Sequence, residues 1–393
     1  MTGSIDQETA FLPYSRPDIG EEEIAAVSRA MASGWVTTGP ETAAFEREFA
    51  GYLGNDLHAL AVNSATAGLH LALEAIGIGP GDEVIVPTMT FTATAEVVRY
   101  LGADPVFADC VSETLNIDPE AIARLVTPRT KAVVVVHYGG LACDMDPIFA
   151  IADAHGLKVI EDAAHAFPTT YRGAYVGTLR SDATVFSFYA NKTMTTGEGG
   201  MVVTRLEDLA KRMRVMRLHG IDRDAFGRFQ SRKPSWHYEV VAPGFKYNMT
   251  DVAAAMGRVQ LTRIDSFAKR RAAIAQVFFD RLAELPLILP APAPRGDTHA
   301  WHIFAVRHRE GVRDPAWRDR FIGALSDAGI GTSVHYIPLH RQPYWRDRYG
   351  LEAKDYPQAD AAYASLVSLP LYTAMSDDDV DRVVETVRRL ANV

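Results

Sequence analysis

A lysine set between two strand-like runs is the residue of this chain best suited to covalent chemistry. Lys192 lies in Ser187-Phe188-Tyr189-Ala190-Asn191-Lys192-Thr193-Met194-Thr195-Thr196-Gly197-Glu198-Gly199-Gly200. The apolar runs at 183–186 before it and 201–204 after it predict buried strands. Lysine is rarely buried without a reason. Held on rigid elements near a core, its amine can lose a proton and become the nucleophile that forms a Schiff base. A surface lysine on a hairpin has the same spacing. A second stretch, Leu157-Lys158-Val159-Ile160-Glu161-Asp162-Ala163-Ala164-His165-Ala166, is an apolar strand ending in an acid. At the carboxyl end of a parallel strand, Asp162 points to the crevice where open α/β sheets bind ligands. Together Lys192 and Asp162 are the pair that pyridoxal phosphate (PLP) requires. The amine bonds the cofactor, and the carboxylate keeps the ring nitrogen protonated so that the ring draws electrons.

These residues carry a resemblance that covers nearly the whole chain. It resembles fold-type I PLP enzymes of the DegT-type nucleotide-sugar aminotransferase family, and most of all the UDP-4-amino-4-deoxy-L-arabinose aminotransferases. The resemblance implies an α/β fold with a large PLP-binding domain at 1–264, including an N-terminal arm, and a small α+β C-terminal domain at 265–393. It implies an aminotransferase that moves an amino group from glutamate to a nucleotide-linked 4-keto sugar, with PLP and pyridoxamine phosphate (PMP) alternating. A homodimer with shared active sites is the implied assembly. By the same carry-over, Thr38 borders the active site, Phe91 stacks on the cofactor ring, and His165 touches the cofactor. Ser187 becomes a phosphate ligand, Asn248 reaches the cofactor phosphate of the neighbouring subunit, and Tyr189 and His335 face the substrate.

The bulk composition agrees with an ordinary globular protein. The 393 residues suffice for two domains with a large core. Hydrophobic and charged fractions of 48% and 23% are unexceptional. A net charge of −9 argues against nucleic acid or an anionic membrane as partner. Cys110 and Cys143 make neither a disulfide framework nor a metal cluster, so buried free thiols in a reducing cytosol are expected. The first residues lack the basic start and apolar core of a signal peptide, and no run approaches a membrane span. A cytoplasmic protein with no metal site is the expectation.

Taken in order, the chain supplies the elements that must position these groups. Asp18 is a candidate cap for a helix with Ile24, Val27 and Met31 on one face and Gly34 at its end. Trp35-Val36-Thr37-Thr38-Gly39-Pro40 reads as a turn. The strand at 59–62 runs into Asn63-Ser64-Ala65-Thr66-Ala67-Gly68, where a helix opens. Free N–H groups of Ser64, Ala65 and Thr66 could bind a phosphate there, although plain N-capping explains the same residues. Phe91 sits at a strand-to-helix junction. Apolar runs alternating with helices, including one at 147–155 ending at Gly156, imply βαβ units and a mainly parallel sheet. His137-Tyr138-Gly139-Gly140 either lines the crevice or is a plain loop. The 221–241 stretch, with Arg223, Arg228, Arg232 and Lys233, is either a solvated loop or a lid over a diphosphate. A helix from 265 to 285, a stiff proline-rich connector at 286–294, a strand at 301–306 and a last helix opened by Ser376-x-x-Asp379 complete the chain.

Two features bear on the choice of reaction. Phe91 stands where many arabinose-type members carry tryptophan, and Tyr189-Ala190-Asn191 where they carry histidine-alanine-isoleucine. The Asn-Lys-Thr pattern is closer to the perosamine-type synthases, which leaves another 4-keto sugar open. The rivals are a PLP-dependent sugar dehydratase, against which Lys192 itself argues, and a non-catalytic PLP-binding regulatory protein. A dinucleotide-dependent oxidoreductase lacks its fingerprint, since Gly197-Glu198-Gly199-Gly200 has neither the spacing nor a following helix.

Overall fold

The computed structural model describes residues 10–54, 56–222 and 237–392. Short apolar runs become the strands β1 (His58–Val62), β2 (Glu83–Pro87), β3 (Asp104–Ala108), β4 (Thr130–Val136), β5 (Lys158–Asp162), the hairpin β6 (Thr170–Tyr171) and β7 (Ala174–Tyr175), β8 (Ala183–Ser187) and β9 (Gly200–Thr204). Seven of these form one sheet in the order β1-β9-β8-β5-β4-β2-β3. Only β9 runs against the others. The expectation of a mainly parallel α/β sheet therefore holds.

Both faces of the sheet are covered, which is why its strands are apolar throughout. Val134, Ile160, Val185 and Val202 pack on one side. Val133, Val135 and Val159, with Phe186 and Val203, pack on the other. The two-residue period of a strand then places Asp162 on the Ile160 side and Glu161 on the opposite side. Glu161 is fully buried there, accepting from His137 Nε2 at 2.9 Å and from Thr184 Oγ1 at 2.8 Å. His137 and Tyr138 thus lie within the core, so this stretch does not line the crevice as one sequence reading allowed.

The helix Ala65–Ala75 lies against the Ile160 side of the sheet, where Gly68 lets it approach closely. A Cβ on Gly68 would stand 2.7 Å from Val185 Cγ1 and 2.9 Å from Val202 Cγ2. The longest helix, Asp251–Leu282, spans 32 residues and starts fourteen residues before the expected position at 265. The start follows Thr250, whose hydroxyl accepts from Ala253 N–H at 3.3 Å. Its first residue, the buried Asp251, also caps the helix Pro40–Leu53 from outside. One carboxylate takes the N–H groups of Gly39 and Thr42 and the Thr42 hydroxyl at 2.7–2.9 Å, and that of Glu41 at 3.1 Å.

The C-terminal part forms a three-stranded antiparallel sheet of β10 (Leu287–Ile288), β11 (Phe304–His308) and β12 (Val367–Leu369) under the helices Trp317–Asp327 and Asp377–Leu390. The last helix opens with the expected Ser376–Asp379 capping box and buries Val380, Val383, Val384 and Val387. Three local expectations change. The stiff connector at 286–294 contains β10, because Leu287 and Ile288 pair with His308 and Arg307. The strand expected at 301–306 starts at Phe304, leaving Trp301 and His302 in the preceding loop. The first helix, Glu21–Ala32, is capped at Gly20 through Glu23, while Asp18 pairs with Arg263 at 2.7 Å. That helix buries Glu23, Ala26 and Ala30, not the Ile24–Met31 stripe, because its small residues fit against the long helix. The 221–241 stretch is outside the described residues from 223 to 236, where all four of its arginines and lysine fall.

Candidate active site

The carboxyl ends of the parallel strands converge on one cavity of about 460 Å³. Its wall includes Ser64, Ala65 and Thr66 after β1, Phe91 after β2, Asp162 and His165 at the end of β5, and Ser187, Tyr189 and Lys192 after β8. His335 from the C-terminal part closes it. Ten of the twelve residues expected at the site therefore share one space, though they span 272 positions of sequence. Thr38 and Asn248 do not. Asn248 Nδ2 donates to Thr38 Oγ1 at 2.6 Å, and both line a separate groove with Trp35, Leu218 and Lys246.

The residues at the β1 turn do two things at once. Ser64 Oγ accepts from Ala67 N–H at 3.1 Å, so the plain N-cap exists. The same turn opens on the cavity, with the N-terminal end of an eleven-residue helix facing it. Gly200 of β9 permits this approach, since a Cβ there would lie 2.9 Å from Ala65 N. Capping and anion binding are thus compatible at one helix end.

Burial sets the electrostatics. The Lys192 amine is pushed down from 10.5 to about 8, because the cavity disfavours the ammonium and Asp162 restores only part of the charge. Asp162 is pushed above the usual carboxylate range by burial, partly offset by its hydrogen bonds and by Lys192 and His137. Its Oδ2 accepts from Thr94 Oγ1 at 2.9 Å and its Oδ1 from Ala164 N–H at 3.1 Å. His335 is pushed down to about 4 by burial and by Lys192. For His165, burial, then Lys192 and His335, hold the imidazole neutral. Gly139 N–H donates to His165 Nδ1 at 3.3 Å, so the ring proton is on Nε2 and is donated to Tyr336 Oη at 2.8 Å.

Several cavity residues were not anticipated. His302 reaches the cavity from 110 residues away, with Nε2 3.4 Å from Lys192 Nζ. Tyr336, Asn191 and Glu198 also line it, and Thr94 supports Asp162 from behind. Asn191 and Glu198 lay within the quoted stretch around Lys192. His302 lay within the run at 301–306 expected to form a strand, which gave no sign that its ring would reach the cavity.

An open helix end, a buried amine and a buried acid thus share one cavity. The donor set fits the cofactor, since a carboxylate made costly by burial is offset by a protonated ring nitrogen. The chain belongs to the DegT/DnrJ/EryC1/StrS aminotransferase family, which it matches over residues 17–388. It is similar to the spore coat polysaccharide biosynthesis protein SpsC of Bacillus subtilis (strain 168), at 49% identity over 385 residues, 98% of each chain. In structure it resembles Spr1654 from Streptococcus pneumoniae in its PMP form, with a TM-score of 0.91, 34% identity, and coverage of 97% of this chain and 99% of that one. It also resembles S. venezuelae DesV, with a TM-score of 0.87, 35% identity, and coverage of 98% and 100%. The chain is thus a PLP-dependent sugar aminotransferase.

Proposed function

We propose that this aminotransferase takes its amino group from glutamate and delivers it to a nucleotide-linked 4-keto sugar. The product is then a 4-amino sugar of the UDP-4-amino-4-deoxy-L-arabinose type. The observation that carries the reading is Lys192, an amine near neutrality in the same cavity as Asp162 and an open helix end. SpsC, named for polysaccharide biosynthesis, supports a sugar acceptor.

Each residue then has a part. The N–H groups at Ser64, Ala65 and Thr66 hold the cofactor phosphate, with the Ser187 hydroxyl beside them. Asp162 keeps a proton on the ring nitrogen, and Thr94 and the Ala164 N–H orient that carboxylate. Phe91 and His165 border the ring. Bound PLP supplies the electron sink that acidifies the amino-acid α-carbon. Lys192 takes that α-proton on Nζ and returns it to the cofactor side, a transfer suited to an amine with a pKa near the working pH. Tyr189 and His335 meet the substrate.

Thr38 and Asn248, in their separate groove, serve the site of a second subunit in a homodimer. The protein works in the cytoplasm, with residues 1–264 as the cofactor-binding part and 265–393 as the smaller one. The division falls within the long helix, whose Phe267 belongs to one core and Ile274 to another.

An absorbance spectrum of the purified protein tests this reading. A band near ~420 nm from lysine-bound cofactor should move towards ~330 nm on adding glutamate, as expected for a PLP electron sink turning into PMP. Absence of any such band with excess PLP would leave a non-catalytic binding protein as the better description.

A further inference from the structure

The Lys192 amine has one hydrogen-bonding side-chain neighbour among the described residues, His302 Nε2 at 3.4 Å. The loop that carries His302 is tightly fixed. Trp301 N–H donates to His299 Nδ1 at 2.8 Å, and the Trp301 carbonyl accepts from the buried Arg271 guanidinium at 3.0 Å. The indole lies flat on the His299 ring at 3.7 Å, and Trp301 adopts a φ of 48°, which directs the next residue inward. The His302 ring ends beside His165, with centroids 4.5 Å apart.

Packing does not account for an imidazole here. His302 Nδ1 is buried and has no hydrogen-bond partner among the described residues. A buried polar atom left unpaired is a cost that an apolar ring of similar size would remove. The polar contact the ring does make is with the lysine amine.

We infer that His302 is a positioning residue of this site, an inference that rests on the aminotransferase reading: its Nε2 accepts a hydrogen bond from the Lys192 amine and holds Nζ where it can carry a proton. The bookkeeping is simple. One proton leaves the amino-acid α-carbon for Nζ, and the same proton leaves Nζ on the cofactor side. His302 gains and loses none. Burial, with Lys192 and His165 adding to it, keeps the imidazole neutral and so an acceptor throughout. An amine released from its bond to the cofactor would otherwise swing on four rotatable bonds, and proton transfer is sensitive to misplacement on the scale of 1 Å.

The test uses the full-length protein, PLP and glutamate carrying either hydrogen or deuterium at the α-carbon. In His302→Leu the lysine-bound absorbance near ~420 nm should form as in wild type, since cofactor attachment needs only the amine. The single-turnover loss of that band with glutamate should slow by about 10- to 100-fold, with a deuterium effect at least as large as in wild type. His302→Gln, which keeps an acceptor on a flexible stem, should regain part of the rate. An unchanged rate in His302→Leu overturns the inference. So does a slow reaction whose deuterium effect has collapsed, or a failure to load PLP, because either marks a structural role.

A second measurement needs no amino donor. With ¹⁵N-labelled histidine in the apoprotein, the resonance lost in His302→Gln should shift when Lys192 is replaced by Met, and an unmoved resonance overturns the contact. If wild type itself ignores glutamate, the donor reading fails, while the nitrogen spectrum still decides the contact.

Discussion

Lys192, with its amine pushed down from 10.5 to about 8 by burial, makes two predictions that separate chemistry from stability. Lys192→Ala should abolish turnover, read as loss of glutamate-dependent conversion of the cofactor spectrum; near-wild-type conversion would remove the lysine from the mechanism. The depressed pKa also has a definite sign in folding. Between about 8 and 10.5 the unfolded lysine binds a proton that the folded one does not, so apoprotein stability rises with pH across that window. Below it the folded state bears the cost of a buried ammonium. Lys192→Met should flatten this rise in denaturant melts taken at several pH values, and equal slopes for the two proteins would show that the amine is better solvated than the cavity implies. At this scale Lys192 and Asp162 were legible from local patterns of strand and acid, while the family resemblance added His165 and Ser187; all four line the cavity. His302 was not, because nothing within a few residues of it reveals that a backbone turn at Trp301 takes its ring to the lysine.

The elements show why the site holds its shape. The Ala65–Ala75 helix must lie close to the sheet for its N-terminal end to reach the cavity, and Gly68 sets that distance. Gly68→Ala should push the helix away from Val185 and Val202, at a cost of about 1–3 kcal/mol for overpacking. Cofactor affinity should fall with it, measured by PLP titration alongside urea unfolding; unchanged values for both would mean that the sheet yields easily. Asp251 is the corresponding device for the Pro40–Leu53 helix, meeting three N–H groups and a hydroxyl with one carboxylate. Asp251→Ala should cost about 2–4 kcal/mol, since it strips a cap and leaves buried donors unmet. Asp381→Ala, which loses an exposed contact to Arg281, should stay within about 0.5 kcal/mol. Urea midpoints at constant slope make the comparison, and similar losses for the two would reduce Asp251 to a surface charge. Strand and helix types were readable here from period and caps, whereas the first helix turned its alanines inward against Ala255 and Val259 of the long helix and left Ile24 and Met31 exposed.

For the whole molecule, the separation of Thr38 and Asn248 from the Lys192 cavity is the informative fact. If these residues serve a partner's site, two inactive proteins can repair each other. Mixing Lys192→Ala with Asn248→Ala subunits gives each hybrid dimer one intact site, so about a quarter of wild-type turnover should return on random exchange. No recovery despite proven exchange, or a monomer in sedimentation, would place the work of Asn248 within its own chain. By itself the sequence determined the mainly parallel sheet, the lysine and acid at its carboxyl edge, the helix opening after β1 and the family, because each is written in residues close together in the chain. The tertiary structure alone decided that His302, Tyr336 and Thr94 join them, that Asp251 caps a helix more than 200 residues away, and that Thr38 and Asn248 stand apart. Those contacts depend on how far one element lies from another once both are packed, a distance set by side-chain volumes across the whole core and recorded in no local pattern.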